Sequence, residues 1–316
     1  MNKILWFLLL PLLGFSQDYF PEIDSLFKAK NYQKAEVLLV QYLENHQNNI
    51  KAKALLGDAY GYQKQWDKSI AIYKNLVAED ENNADYHYKY GAVLTMKALQ
   101  NKLKAMAYIG DIKSSFLRAA QLDKNHIDTR WALVKMYMLL PGILGGSQTK
   151  ALYYSDELEA LSPIDGYLTK GYIYEYDDEP ELAETYYKKA VKTGGSVYSY
   201  AQLTNFYDKQ NKPEKAISYL ELAQQQHQNN KFNYEIGKIA ALHHVQMEKG
   251  IQCLEAYIKN HTPKDELSKA WAAYRLAQIY RQKRDRKSAL EYIDLALSED
   301  PETAVFKTEK EAILSL

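Results

Sequence analysis

The sequence predicts an all-α fold: an α-solenoid of about eight antiparallel helix pairs, closed by one more helix at the C-terminal end. Two observations point there. Glycine and proline number only 14 and 8 among 316 residues, too few for a sheet-rich chain with many tight turns and suited to long helices on short connections. The chain also matches itself when shifted by one helix pair. Leu56-Gly57-Asp58-Ala59-Tyr60 lines up with Tyr90-Gly91-Ala92-Val93-Leu94, and the same pattern returns at Lys170-Gly171-Tyr172-Ile173-Tyr174, at Ile236-Gly237 and at Leu276-Ala277-Gln278-Ile279-Tyr280. Self-similarity at such a period is the signature of a stacked repeat.

Residues 1–16 read as a signal peptide. Lys3 opens them, Ile4 to Leu13 form an apolar run broken only by Pro11, and Gly14-Phe15-Ser16 supply the small residues of a cleavage site before Gln17. The run is well short of the ~20 residues that span a bilayer, and no cysteine follows it to carry a lipid. The expectation is an exported protein, periplasmic or secreted, with no transmembrane span after cleavage.

Residues 17–303 then form the solenoid, in units of roughly 19–49, 50–83, 84–126, 127–163, 164–197, 198–230, 231–265 and 270–303. In each, a first helix carries a glycine or alanine beside an aromatic. A second helix carries small, large, small, as at Ala183, Tyr187 and Ala190, at Ala216, Leu220 and Ala223, and at Ala289, Ile293 and Ala296. A small residue lets the neighbouring helix approach and the large one fills the groove; each pair hides only part of its apolar face, so neighbours must stack. Gln47-Asn48-Asn49, Glu81-Asn82-Asn83 and Gln228-Asn229-Asn230 stop one helix and start the next. Ala304 to Leu316 reads as the capping helix.

Two units are irregular. In the third, the first helix is expected to run on through Lys97–Tyr108 before Ile109-Gly110-Asp111 turns the chain. In the fourth, Pro141, Gly142, Gly145 and Gly146 make a loop after which Ser147 caps the second helix. Both insertions fall at the same connection, so the 98–111 and 141–147 loops are expected on one edge, a place where repeat proteins add function.

This pattern resembles the tetratricopeptide repeat, in an exported bacterial form. The resemblance covers nearly all of residues 19–303, and departs from the family pattern where Ser69 and Ile112 replace the small alanine and Gln47 and Glu81 stand where proline is usual. It implies a right-handed superhelix with the first helices lining a concave groove. The residues then facing a partner are Tyr62, Tyr88, Lys89, Trp131, Lys135, Tyr172, Tyr176, Asn205, Tyr234, Lys238, Tyr274, Arg275 and Arg281. Some members of the family grip a C-terminal carboxylate in a clamp spread over three units. Asn205 and Arg275 fit two of its positions, but Ala201, Glu235 and Trp271 occupy others, so the clamp is incomplete.

No constellation of residues points to catalysis, a cofactor or a metal. The 40 basic and 40 acidic side chains cancel, which gives no pull toward nucleic acid. The glycines at 142–146 lack the lysine and hydroxyl that a phosphate loop places directly after its last glycine. His46, His126, His227 and His261 lie at unit ends, where solvated turn residues are expected, and His243-His244 point apart on a helix. Asp177-Asp178-Glu179 lacks the alternation of a calcium loop; Glu179-Pro180 reads as a cap and first helical residue. Cys253, the single cysteine, excludes an internal disulfide and reads as a buried small hydrophobe. The function expected is a non-enzymatic scaffold or adaptor that binds a protein or peptide in the groove. The alternative is a solenoid that binds a small ligand or a cell-wall glycan through its 28 tyrosines.

Overall fold

The computed structural model describes residues 19–100 and 105–316. The expected signal peptide and the centre of the 98–111 loop lie outside them. Among the described residues there are seventeen α-helices and one 3-10 turn, and no strand. The helices come in pairs: α1 (Phe20–Lys28) with α2 (Tyr32–Asn45), α3 (Ile50–Tyr62) with α4 (Trp66–Glu79), α5 (Ala84–Gln100) with α6 (Met106–Leu122), and α7 (Ile127–Leu139) with α8 (Gln148–Leu161). There follow α9 (Pro163–Tyr176) with α10 (Pro180–Gly194), α11 (Val197–Lys209) with α12 (Pro213–His227), α13 (Asn230–His243) with α14 (Met247–Lys259), and α15 (Lys269–Gln282) with α16 (Arg286–Glu299). The last helix, α17 (Ala304–Leu314), packs on α15 and α16. The chain forms two compact units, Met1–Met136 and Tyr137–Leu316, with the division inside α7.

The small residues do what their spacing implies. A Cβ placed on Gly171 would lie 2.6 Å from the Tyr187 ring, so glycine is what lets α9 and α10 close on that buried tyrosine. Ser69, which departs from the expected alanine, is buried and donates its hydroxyl to the Gly57 carbonyl at 2.8 Å. The small hydroxyl fits because its one polar group has a partner.

Five of the turns within pairs share one device. A non-glycine residue takes the left-handed conformation, as at Lys30, Lys64, Asp178, Asn211 and Arg284. The residue after it reaches back to the same carbonyl position: Gln65 N–H to Tyr60, Glu179 to Tyr174, Lys212 to Tyr207 and Asp285 to Tyr280, at 2.8 to 2.9 Å. This is the bond that closes a helix C-terminus in the Schellman motif. Several junctions between pairs are capped by side chains, with Asn49 accepting from Ala52 N–H at 2.9 Å and Asn83 from Tyr86 N–H at 3.2 Å.

One expectation about the third pair is overturned. Ile109-Gly110-Asp111 does not turn the chain; these residues lie inside α6, which begins at Met106, so the first helix does not run on to Tyr108. Both helices of this pair are longer, at 17 residues each. Gly110 has nothing within 4 Å of where its side chain would be, so it sits on an open helix face and its glycine-aspartate pair is not a turn.

Candidate functional site

Within each unit, polar side chains tie first helices of neighbouring pairs to one another. In the first unit Lys89 of α5 bonds Asp58 of α3 at 2.6 Å. In the second, Lys209 of α11 bonds Glu175 of α9 at 2.7 Å, His243 of α13 bonds Asp208 of α11 at 2.6 Å, and Arg281 of α15 bonds Glu309 of α17 at 2.6 Å. In each unit the first helices thus make a surface on which expected contact residues lie.

In the first unit, Tyr62 is exposed and stacks on Tyr32 with ring centres 4.4 Å apart. Tyr88 is half-buried with its ring against His126 at 5.0 Å. Burial first, then Asp128, Tyr62 and Asp85, push its hydroxyl up to about 12, so it stays a hydrogen-bond donor. Lys135 is exposed and lies 5.3 Å from the centre of the Trp131 ring, one helical turn away. Lys89 is committed within the protein: Asp58 takes its ammonium on one oxygen and the Tyr73 hydroxyl on the other.

In the second unit, Tyr172 and Tyr176 lie one turn apart on α9, ring centres 6.2 Å apart. Tyr176 is 53% exposed, while burial, then Tyr176 and Glu175, raise the Tyr172 hydroxyl. Asn205 is exposed on α11. Lys238 is paired with Glu235 at 2.6 Å and Arg281 with the buried Glu309. Arg275 donates to Gln278 at 2.8 Å and lies over the Tyr274 ring at 5.1 Å.

Tyr234 is a correction. It is only 4% exposed, with its ring 5.5 Å from that of Tyr257, in a cluster with Leu254 and Leu276. Tyr88, Trp131 and Tyr274 stand at the same place in their helices and stay half-buried. Around Tyr234 the long connection after α14 brings Leu267, and the start of α15 brings Trp271, against the cluster.

The histidines are corrected as well. His126 keeps only 11% of its side chain exposed and bonds Asp85 on α5 at 2.9 Å. His227 reaches the Gly195 carbonyl at 2.5 Å, and His261 the Leu267 carbonyl at 2.9 Å. These are ties between segments; His46 alone of the four stays exposed, on its own helix's Tyr42 carbonyl. Cys253 is half-buried, and burial, then Glu221, raise its thiol against the opposing pull of Lys249.

The 141–147 loop is an insertion into the standard turn. Ser147 N–H reaches the Tyr137 carbonyl at 2.9 Å, the bond that closes the other turns, and its hydroxyl caps α8 at Lys150 N–H. The extra residues are thrown outward as a 3-10 turn, Gly142–Leu144, that leaves Ile143 94% exposed. Gly145 takes φ +93°, and a Cβ on Gly146 would fall 1.7 Å from the Leu140 oxygen. Pro141 and Gly142 lie exposed beside Ile143.

A second set of residues emerges only when the helices are put in register. Five residues after the glycine position stand Tyr62 and Met96 in the first unit and Leu139, Tyr176 and Leu242 in the second, all exposed, while Lys209 of α11 and Gln282 of α15 hold the same place with polar side chains. Only the tyrosines stood out in the sequence. The signal for the others was their shared register, since an apolar residue in a last helical turn is unremarkable by itself. Among the described residues no three histidine, cysteine or acidic groups are placed to hold a metal ion, and no helix is long and apolar enough to cross a membrane.

Comparison with known proteins follows the same repeat. Family models described as tetratricopeptide repeat match residues 26–92, and residues 164–193 and 272–303. No curated protein is significantly similar in sequence. Among solved structures, a tetratricopeptide repeat protein from Parabacteroides merdae is 10% identical, with TM-score 0.49, over 93% of this chain and 97% of its own. YrrB, a TPR protein described as having an unusual peptide-binding site, is 20% identical, with TM-score 0.43, over 62% of this chain and 97% of its own. A thermophilic TPR protein from Thermus thermophilus is 12% identical, with TM-score 0.45, over 66% of this chain and 98% of its own.

Proposed function

Because this chain is a tetratricopeptide-repeat protein, we propose that it is a non-enzymatic scaffold or adaptor of the cell envelope. It holds a protein or peptide partner on the face of its first helices. The observation that carries the reading is the register of exposed apolar side chains. Tyr62 and Met96 in one unit, and Leu139, Tyr176 and Leu242 in the other, stand at one register of five first helices, with the polar Lys209 and Gln282 there in α11 and α15. Apolar groups repeated in register and left in water are what a partner covers, and contact area of this kind carries most of the affinity in protein recognition.

The charges around the row favour such a partner over a highly charged one. Lys89, Lys209, Lys238 and Arg281 already hold carboxylates of the protein itself, so an acidic ligand would have to displace them. In the second unit the exposed Asn205 and the protonated hydroxyl of Tyr172 remain to orient a chain laid against Tyr176 and Leu242. The 141–147 loop, with Ile143 at its tip, offers a second contact.

The test is site-specific photocrosslinking in the native envelope fraction. A photoreactive residue at Tyr176 or Leu242 should trap a defined protein, and one at the exposed Lys192 on α10 should not. Equal crosslinking from all three, or none from any, sinks the reading. Retention on cell-wall polysaccharide that is lost in Trp131→Ala and Tyr172→Ala would instead favour the glycan-binding alternative.

A further inference from the structure

His126 stands at the start of α7, and both of its ring nitrogens are engaged. Nδ1 lies 3.2 Å from the Thr129 N–H, and Nε2 lies 2.9 Å from Asp85 Oδ1 on α5. A backbone N–H can only donate and a carboxylate can only accept. Both bonds therefore form together in one state of the ring: the proton on Nε2, the lone pair on Nδ1. The neutral imidazole does the work of an N-cap, accepting the N–H three residues on.

Other junctions use groups that do not titrate at the same place. Asn49 accepts from Ala52, Asn83 from Tyr86 and Ser196 from Ser199. Only α7, among the first helices whose cap bond is described, is capped by an imidazole, which loses its acceptor nitrogen on binding a second proton.

We propose that His126 is a proton-operated cap of α7. When the ring takes a second proton, Nδ1 becomes a donor and faces the Thr129 N–H with nothing to accept it. The cap bond is lost, while the bond from Nε2 to Asp85 persists as an ion pair. The charged groups around the ring are Asp85 of α5 and, on the first turn of α7, Asp128 and Arg130. Tyr88 of α5 packs its ring on the imidazole, and Asp123 at the end of α6 offers its carbonyl oxygen nearby. Arg130 also donates to the Asp123 and His126 carbonyls at 3.2 Å each. Those bonds do not depend on the imidazole, so acid loosens the first turn of α7 without unfolding the pair.

The consequence reaches the candidate contact residues. Trp131 is the next turn of α7, and Tyr88 is partly covered by the imidazole. Acid would therefore loosen the base of the Trp131–Lys135 pair, while the ion pair to Asp85 keeps the ring on Tyr88. That effect on a partner rests on the scaffold reading; the cap itself does not.

The experiment uses the full chain and needs no partner. Long-range proton–nitrogen NMR of the imidazoles at pH 8 should show His126 with its proton on Nε2. Between pH 8 and 5, exchange protection of the Thr129 amide, corrected for its intrinsic rate, should fall roughly fivefold, the scale of a lost cap. In His126→Asn, which keeps an acceptor at every pH, protection should not change. A proton on Nδ1 at pH 8 overturns the proposal, and so does Thr129 protection that stays constant while His126 titrates. The tautomer is read on the unmodified protein, so the test survives a variant that folds poorly.

Discussion

The Tyr187 hydroxyl donates to Glu175 at 2.7 Å, and the same carboxylate takes the Lys209 ammonium at 2.7 Å. One acidic side chain thus ties the second helix of a pair to its own first helix and to the first helix of the next pair. Burial, then Glu175, hold the Tyr187 phenol protonated well above its ordinary range, so the bond persists at any pH the protein meets. Asp58 repeats the arrangement with Tyr73 and Lys89.

Removing the Tyr187 hydroxyl as Tyr187→Phe should destabilise the protein by about 1–2 kcal/mol, the scale of a hydrogen bond to a charged group. Lys209→Met should cost less, because Lys209 is exposed and its pair is screened. In a double-mutant cycle read by urea unfolding, the two changes should be non-additive because they share Glu175. Strict additivity would mean that the carboxylate does not link them.

Two helical glycines should respond to alanine in opposite directions. Both substitutions gain up to about 1 kcal/mol in helix propensity. At Gly171 the new methyl meets the Tyr187 ring at 2.6 Å, and overpacking of that kind costs about 1–3 kcal/mol, so Gly171→Ala should lower the melting temperature. At Gly110 nothing stands within 4 Å, so Gly110→Ala should raise it. Thermal unfolding of the two variants side by side checks both signs.

Glu184 sets an acid limit on the second unit. Burial pushes its carboxyl up, but hydrogen bonds from Lys188, Lys215 and Tyr207 outweigh that and bring it down to about 2. An unfolded glutamate titrates near pH ~4.3. The folded value is the lower of the two, so the stabilisation is present above pH ~4.3 and is lost as pH falls toward the folded value of about 2. Allowing for solvent screening, it is worth about 1–2 kcal/mol. Melting temperature between pH 5 and 2.5 should fall less steeply in Glu184→Gln than in the unchanged protein.

Much of this fold was legible because its packing is local and periodic. Gly171 and Tyr187 announce a close helix pair by spacing alone, and Asn49 announces a cap. What was hidden depended on neighbours far along the chain. Tyr234 occupies the same register as Tyr274, and only Leu267 and Trp271, brought in by one longer connection, decide that it is buried. Ile109-Gly110-Asp111 has the composition of a turn, yet the surrounding residues continue a helix. His126 looks like any polar residue between helices, because the carboxylate that shows its role, Asp85, is 41 residues away. At the candidate site the tyrosines were legible from residue type, whereas Met96, Leu139 and Leu242 became visible only through shared register and exposure.

The closing helix α17 is held by a charge as well as by Phe306 and Ile313. Glu309 keeps only 8% of its side chain exposed and takes the Arg281 Nε–H at 2.6 Å. Arg281→Ala leaves that carboxylate buried without its partner. The loss of a fully buried partner costs about 3–5 kcal/mol, and with Arg281 a third exposed the expected cost is about 1–3 kcal/mol. The double variant Arg281→Met with Glu309→Leu removes both charges into an apolar surround and should recover most of the loss. Hydrogen exchange should show the single variant opening α17 ahead of α15 and α16, because an end helix has a neighbour on one side only. Uniform loss of protection across all three helices would mean instead that α17 unfolds together with the pair beneath it.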